Sequence, residues 1–370
     1  MWVLIFGSIF LGAVLGMVYL SGRFAKFSVV QKVAKGRKGM RFLLGFFLVL
    51  LILLATGLAL GAINAMIIIL HLMGIWLICD GVCKLVEKKR DKKFEVYYAG
   101  VFALGLTVAY LLWGWYLAHN VWRQAYILET EKQVGAFRIV QFADSHVGST
   151  FDGEGFAEKM QMIQSENPDI VVVTGDYVDD DTTKEDMIAA CKALGRIKTT
   201  YGVYYVLGNH DKGYYNPEYR GYDGDDLIAE LEKNNVTVLR DETVLIDNRF
   251  YIIGRLDRSE EQRGAGRASM EELVSGLDPK KYSIVLDHQP YEYEEQALAG
   301  VDLVLSGHTH GGQMFPINHL GELTGVDAKT YGLENRGDTN FIVTSGISDW
   351  AIKFKTGCRS EYVVVDIKEN

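Results

Sequence analysis

The 38 residues from Phe42 to Cys79 carry no charged side chain, and this run limits what the N-terminal third of the chain can become. Crossing a bilayer takes about 20 apolar residues, so the run is too long for one span and suits two, with a turn near Gly61 to Asn64. Residues 1–20 form another charge-free stretch, and residues 96–118 a further apolar segment. The expectation is an all-α four-helix transmembrane module over 1–120, with spans at about 1–20, 42–60, 63–83 and 96–118. The first segment has no basic residue ahead of its apolar run and no small-residue cleavage site behind it, which favours a retained span over a removed signal peptide.

Lys and Arg are unevenly placed around these segments. Arg23, Lys26, Lys32, Lys35, Arg37, Lys38 and Arg41 fill the first connection, and Lys84, Lys88, Lys89, Arg90, Lys92 and Lys93 the third. Short basic loops stay cytoplasmic, so the fourth span is expected to deliver the rest of the chain outside the cytoplasm. Trp113, Trp115, Tyr116 and Trp122 collect at that outer end, as interfacial aromatics do. Gly12-xxx-Gly16 and Gly57-xxx-Gly61 read as packing positions. His71, mid-span, and Asp80, near a span end, form no relay and read as structural.

The remainder differs in composition. Residues 1–133 net +9, whereas residues 134–370 net -18, which argues against a nucleic-acid partner, since that binding rests on basic groups neutralising phosphates. Four cysteines without metal-like spacing give no zinc ribbon and no disulfide framework, leaving open only a bridge between Cys191 and Cys358. Short apolar runs at 137–143, 170–174, 203–207, 283–286 and 302–305 have the look of strands buried on both faces. Helical spacing separates them at 155–166, 184–197 and 225–234. Residues 236–245 and 250–254 read as a strand pair around Asp247-Asn248, and 361–367 as a last strand. The domain expected is α/β, over 137–370, with a linker at 121–136.

Five motifs follow these strands in order: Asp144-Ser-His146, Gly175-Asp176-Tyr-Val-Asp179, Gly208-Asn209-His210-Asp211, His288, and Gly307-His308-Thr-His310. Of the chain's eight histidines, five lie inside them. Ligands in open α/β sheets bind beyond the carboxyl ends of the strands, where these side chains would converge. The set holds carboxylates, imidazoles and one amide but no thiolate, a mixture suited to Mn, Fe or Zn. It also exceeds what one ion needs, so two divalent ions clamping a phosphoryl centre are expected.

The order of these motifs resembles that of the calcineurin-like metallophosphoesterases, and Gly307-His-Thr-His-Gly-Gly-Gln313 resembles a bacterial subgroup with exported and membrane-tethered members, some acting on UDP-diacylglucosamine-type lipids. The resemblance covers about residues 137–368. Ser145 departs from it, standing where the subgroup commonly has Leu. The resemblance implies a four-layer fold of two stacked mixed β-sheets flanked by helices. It implies that Asp144, His146, Asp176 and His310 hold one ion, that Asp176 bridges, and that Asn209, His288 and His308 complete the second. His210 would act as acid, oriented by Asp211, in the in-line attack of a metal-bridging hydroxide, while Asp179 would fix the pose of a ligand.

The expected activity is therefore membrane-anchored, dinuclear metal-dependent cleavage of a phosphoester or pyrophosphate bond. A lipid-linked substrate suits the tether. Soluble phosphodiesters or phosphate esters, or a sensing module that does not turn over, remain open alternatives, as do monoester against diester and the oligomeric state. Tyr214, Tyr215, Tyr219 and Tyr222 are candidates to line the pocket, and Arg255, Arg258, Arg263 and Arg267 to grip a second phosphate.

Overall fold

A computed structural model describes residues 2–213 and 217–370, and the side chains of 2–6 and 217 are left aside. Tyr214 and Tyr215 lie outside the described residues. The chain divides into two compact units, the first taking in residues up to Trp115 together with Ala351–Lys353, the second the remainder.

The first unit holds helices α1 (Trp2–Phe24), α2 (Ser28–Val33), α3 (Lys38–Leu60) and α4 (Ala62–Arg90), and most of α5 (Tyr98–His119). α1, α3, α4 and α5 are long and apolar enough to cross a membrane. The turn expected near Gly61 is Gly61 itself, at φ 88°, between α3 and α4; glycine takes this left-handed backbone without a Cβ clash. Gly45 is needed for a different reason, because a Cβ there would collide with the Ser21 carbonyl of α1. Asp80 is not isolated. Arg23 reaches it at 2.9 Å, and the hydroxyls of Tyr97 and Tyr19 donate to it at 3.0 and 3.2 Å. Trp76 donates to Tyr97 at 2.9 Å, so a polar network ties α1, α4 and the start of α5.

The second unit contains two six-stranded mixed sheets. The first runs in the order β1 (Val121–Thr130), β12 (Ser360–Glu369), β2 (Phe137–Phe142), β3 (Ile170–Thr174), β4 (Val203–Val206), β5 (Val236–Val238). The second runs β10 (Gly332–Arg336), β11 (Thr339–Val343), β9 (Leu303–Ser306), β8 (Tyr282–Leu286), β7 (Phe250–Gly254), β6 (Glu242–Ile246). In each sheet the strands feeding the site, β2, β3 and β4 or β8 and β9, pair parallel.

Period-two alternation on doubly buried strands sets the layering. Ile170 and Val172 of β3 meet Phe250, Ile252 and Ile284 between the sheets. Val171 and Val173 turn the other way, onto α6 (Gly153–Ser165), α7 (Lys184–Leu194) and α9 (Gly224–Lys233). Val285 and Val304 of the second sheet pack outward on α11 (Met270–Val274) and α12 (Tyr293–Leu298). Short helices α8 (Pro217–Arg220), α10 (Arg258–Gln262) and α13 (Leu320–Leu323) complete the set. The expected helix–sheet–sheet–helix layering is borne out.

Three expectations change. The stretch read as a linker, 121–136, carries β1, an edge strand parallel to β12. The run 236–245 is not one strand: β5 belongs to the first sheet and β6 to the second, and the chain passes between sheets through Asp241, at φ 56°. No bridge links Cys191 and Cys358, which are both free thiols.

Candidate metal centre

β2, β3, β4, β8 and β9 all end at one rim, and each motif begins within two residues of a strand end. The strand direction does not persist into the motifs. Asp144, His146, Asp176, His308 and His310 all have positive φ, between 37° and 71°. Non-glycine residues rarely adopt this backbone, and its clustering at one place marks a site where surrounding contacts enforce it. Here those contacts are backbone hydrogen bonds between adjacent motifs, from Asp144 to the Gly175 carbonyl at 3.0 Å and from His146 to the Asp176 carbonyl at 3.1 Å. Two glycines make the close approach possible: a Cβ on Gly208 would strike the Asp176 carboxylate, and one on Gly175 would lie 2.6 Å from the His288 ring.

The side chains converge in three groups, in each of which one donor atom per residue lies within 4.8 Å of the others: Asp144, His146 and His310; Asp176, His288 and His308; and His146, Asp179 and His210. Asp176 Oδ2 stands 3.1 Å from His288 Nε2 and 3.9 Å from His146 Nε2, between the first two groups. Asn209 Oδ1 is 3.3 Å from His288 Nε2. All seven expected ligands thus meet in one place.

Their environment suits cations. Asp144, His146 and His288 are fully buried. Among the described residues, neither Nε2 of His146 nor Nδ1 of His310 has a hydrogen-bond partner. Buried polar atoms are normally paired, and an orphaned set of imidazole nitrogens beside carboxylates is the condition that inserted cations relieve. Burial, with the nearby His288 charge, pushes His308 down to about 4. Burial and the His146 charge likewise hold His310 well below the usual histidine range. Both shifts favour the neutral ring that ligation needs, whereas at His288 the Asp176 carboxylate outweighs burial and raises the ring well above the usual histidine range. Burial raises Asp144 to about 6, whereas for Asp176 the charges of His288 and His210 outweigh burial and keep the carboxyl well below its ordinary value.

His210 shares its carboxylate partner, Asp179, with His146. Its Nδ1 is 3.0 Å from Asp179 Oδ1, and Asp179 Oδ2 is 3.4 Å from His146 Nδ1. Burial disfavours the imidazolium, but Asp176 and Asp179 overcome it and lift His210 to about 9. The expectation that Asp211 orients this ring is not met. Its buried carboxylate accepts backbone N–H groups from Gly208 (2.7 Å), Tyr177 (2.8 Å), Asp176 (2.9 Å) and Val178 (3.1 Å). Asp211 therefore fastens the third motif to the second, and Asp179 is the acid that faces His210.

Other candidates fall elsewhere. Arg255 and Arg267 do not offer a phosphate grip, because both are buried against Asp287 and Glu292. Arg258 lies over the Tyr291 ring, and Tyr222 is buried under Arg220 while Tyr219 is exposed. Ser145 is fully buried and its hydroxyl makes no hydrogen bond, so it fills space, as an apolar residue would. Sequence reasoning missed Trp350, whose ring is 5.8 Å from that of His210, and Arg220, whose guanidinium donates to the carbonyls of Asp211 at 2.7 Å and His210 at 3.2 Å. Neither sits in a spaced motif, and no sequence signal marked them.

The calcineurin-like phosphoesterase family profile matches residues 137–312. An uncharacterized metallophosphoesterase of Campylobacter jejuni is 30% identical over 289 residues, covering 76% of this chain and 73% of its own length. Another from Aquifex aeolicus is 35% identical over 200 residues, covering 53% and 72%. A transmembrane protein with metallophosphoesterase domain from Bos taurus is 29% identical over 243 residues, covering 62% and 52%.

Proposed function

The chain belongs to the calcineurin-like metallophosphoesterases, and from that premise we propose a membrane-anchored, dinuclear phosphohydrolase acting on a lipid-linked phosphoester or pyrophosphate. That it is a membrane protein and a phosphoester hydrolase follows from its family and its four apolar helices. The number of crossings, the side on which the site lies, the ligand roles and the substrate belong to the proposal.

The observation that carries it is the position of Asp176 between two buried donor groups, with Asp144, His146 and His310 on one side and Asn209, His288 and His308 on the other. These residues would hold two divalent ions, with Mn, Fe and Zn as candidates. When bound, the ions would supply Lewis-acid stabilisation of phosphoryl oxygens and lower the pKa of a coordinated water. His210, kept protonated by Asp179 and Asp176, steadies charge on the phosphoryl group and gives its proton to the leaving oxygen. Asp179 holds His210 and His146 in register. Asp211 and Arg220 fix the backbone from which His210 projects, limiting loss of orientation.

The lipid reading is supported by the helices. A tether keeps the hydrolase at a surface where lipid-linked phosphates are concentrated. The basic connections after α1 and α4 favour a site outside the cytoplasm.

The test uses full-length protein in detergent with Mn²⁺, measuring hydrolysis of bis-p-nitrophenyl phosphate beside a UDP-linked lipid, with Asp176→Asn as control. Lipid turnover far above diester turnover is the expected result. Diester turnover alone would discard the lipid substrate and leave a hydrolase of soluble esters. Neither activity, with two ions bound per chain, would leave a metal-dependent sensing module.

A further inference from the structure

α4 and α5 flank an open groove that the phosphohydrolase chemistry does not use. On α4 it is lined by Ile78, Val82 and Val86, four residues apart, with Arg90 next in the same row. On α5 the row is Tyr98, Phe102 and Leu106. Residues at i and i+4 share a helix face, so two apolar ridges face each other across a slot of about 690 Å³, within the ~300–1,000 Å³ range of ligand sites. Ile78, Val82, Phe102 and Leu106 are each more than half exposed in the protein alone. Lys92, Lys93 and Glu95 in the α4–α5 connection close one end.

That end is cationic. Arg90, Lys92 and Lys93 outnumber Glu95, and among the described residues none of the three pairs with a carboxylate. The nearby Glu87 is engaged instead by the Phe94 N–H at 2.8 Å. Arg90 lies over the Phe94 ring at 5.4 Å, which holds its guanidinium at the groove end. An apolar slot in a membrane helix pair is filled by hydrocarbon, and three cations at its end select a negative headgroup. A neutral occupant would leave the cations unanswered, and a wholly apolar partner helix would bury them at a cost.

We propose that this groove binds one anionic glycerophospholipid, with an acyl chain between α4 and α5 and the headgroup phosphate against Arg90, Lys92 and Lys93. The site rests on the membrane reading of the helices and is independent of what the hydrolase cleaves.

The experiment uses full-length protein. Alkaline carbonate treatment of membranes comes first: extraction of the protein would sink the membrane reading and this site together. With retained protein, native mass spectrometry after incubation with phosphatidylglycerol or phosphatidylcholine reads bound lipid directly. One phosphatidylglycerol is expected to be held at roughly tenfold lower concentration than phosphatidylcholine. The combined Arg90→Gln, Lys92→Gln and Lys93→Gln variant loses that preference. Leu106→Trp, which fills the slot, loses retention of both lipids. Substituting Gln at Lys35, Arg37 and Lys38, basic residues away from the groove, leaves the preference intact. Equal retention of the two lipids by the unaltered protein overturns the site, as does a preference that survives the triple variant. A dimer mass that disappears with Leu106→Trp would assign the groove to a second copy of the chain and overturn it too.

Discussion

His210 sits 3.0 Å from Asp179, in a cluster that also includes His146, and the proposal assigns it the proton-donor role and leaves the ions to the two groups on either side of Asp176. His210→Ala removes a proton donor without removing a ligand. Metal content, measured by mass spectrometry, should stay at the unaltered level while kcat falls by about 10²–10⁴-fold. Asp176→Asn removes the carboxylate shared by two donor groups and should lower metal content and activity together. If His210→Ala also lost its metal, the ring would have to be counted among the ligands. At this scale the sequence was most legible where chemistry demands particular side chains: Asp144, His146, Asp176, Asn209, His288, His308 and His310 could be singled out because few other residues bind hard or borderline cations, and the structure brings them together. Asp211 was misjudged because adjacency to His210 suggested a contact, whereas the loop turns the two side chains apart and gives Asp211 four backbone N–H groups. Which neighbour of an imidazole faces it depends on backbone dihedrals that residue spacing does not carry.

Among the elements, those with one dominant signal were readable. β2, β3, β4, β8 and β9 are continuous apolar runs because both of their faces are covered, and α6, α7 and α9 announce themselves by amphipathic spacing and by caps at Asp152, Thr183 and Asp223. β1 and β10 lie at sheet edges and are largely half-exposed, so their polar residues resembled connections. The run 236–245 was read straight through Arg240-Asp241-Glu242, where the chain changes sheet at Asp241, whose carboxylate accepts the Leu256 and Ala268 N–H groups at 2.8 Å each. In the helical unit, Asp80 holds α1, α4 and the start of α5 through Arg23, Tyr19 and Tyr97. Asp80→Ala leaves the mostly buried Arg23 guanidinium unpaired, and stranding one partner of a buried pair costs on the order of 3 kcal/mol. Thermal unfolding in detergent should therefore shift clearly downward for the helices, while hydrolysis of a soluble diester at low temperature changes little. An unchanged melting curve would make the network incidental.

For the whole molecule, the side of the membrane that holds the site decides which substrates it can meet. α3 and α4 join at Gly61 alone, leaving no room for a charged loop there, whereas the connections after α1 and α4, with the helix ends that flank them, carry all thirteen basic residues before Val96. Translocating such loops is disfavoured, which is the ground for the proposal that both lie in the cytoplasm and the chain after α5 outside it. In a variant lacking its native cysteines, Glu261→Cys should react with a membrane-impermeant maleimide on intact spheroplasts. Lys88→Cys should react only after the membrane is permeabilised. Both positions are exposed, so silence at either reports the barrier and not burial within the fold. The reversed pattern would place the metal centre in the cytoplasm, where soluble nucleotides and phosphoesters become available to it. The balance would then move from a lipid-linked substrate toward a soluble one, with the chemistry of Asp176 and His210 unaltered.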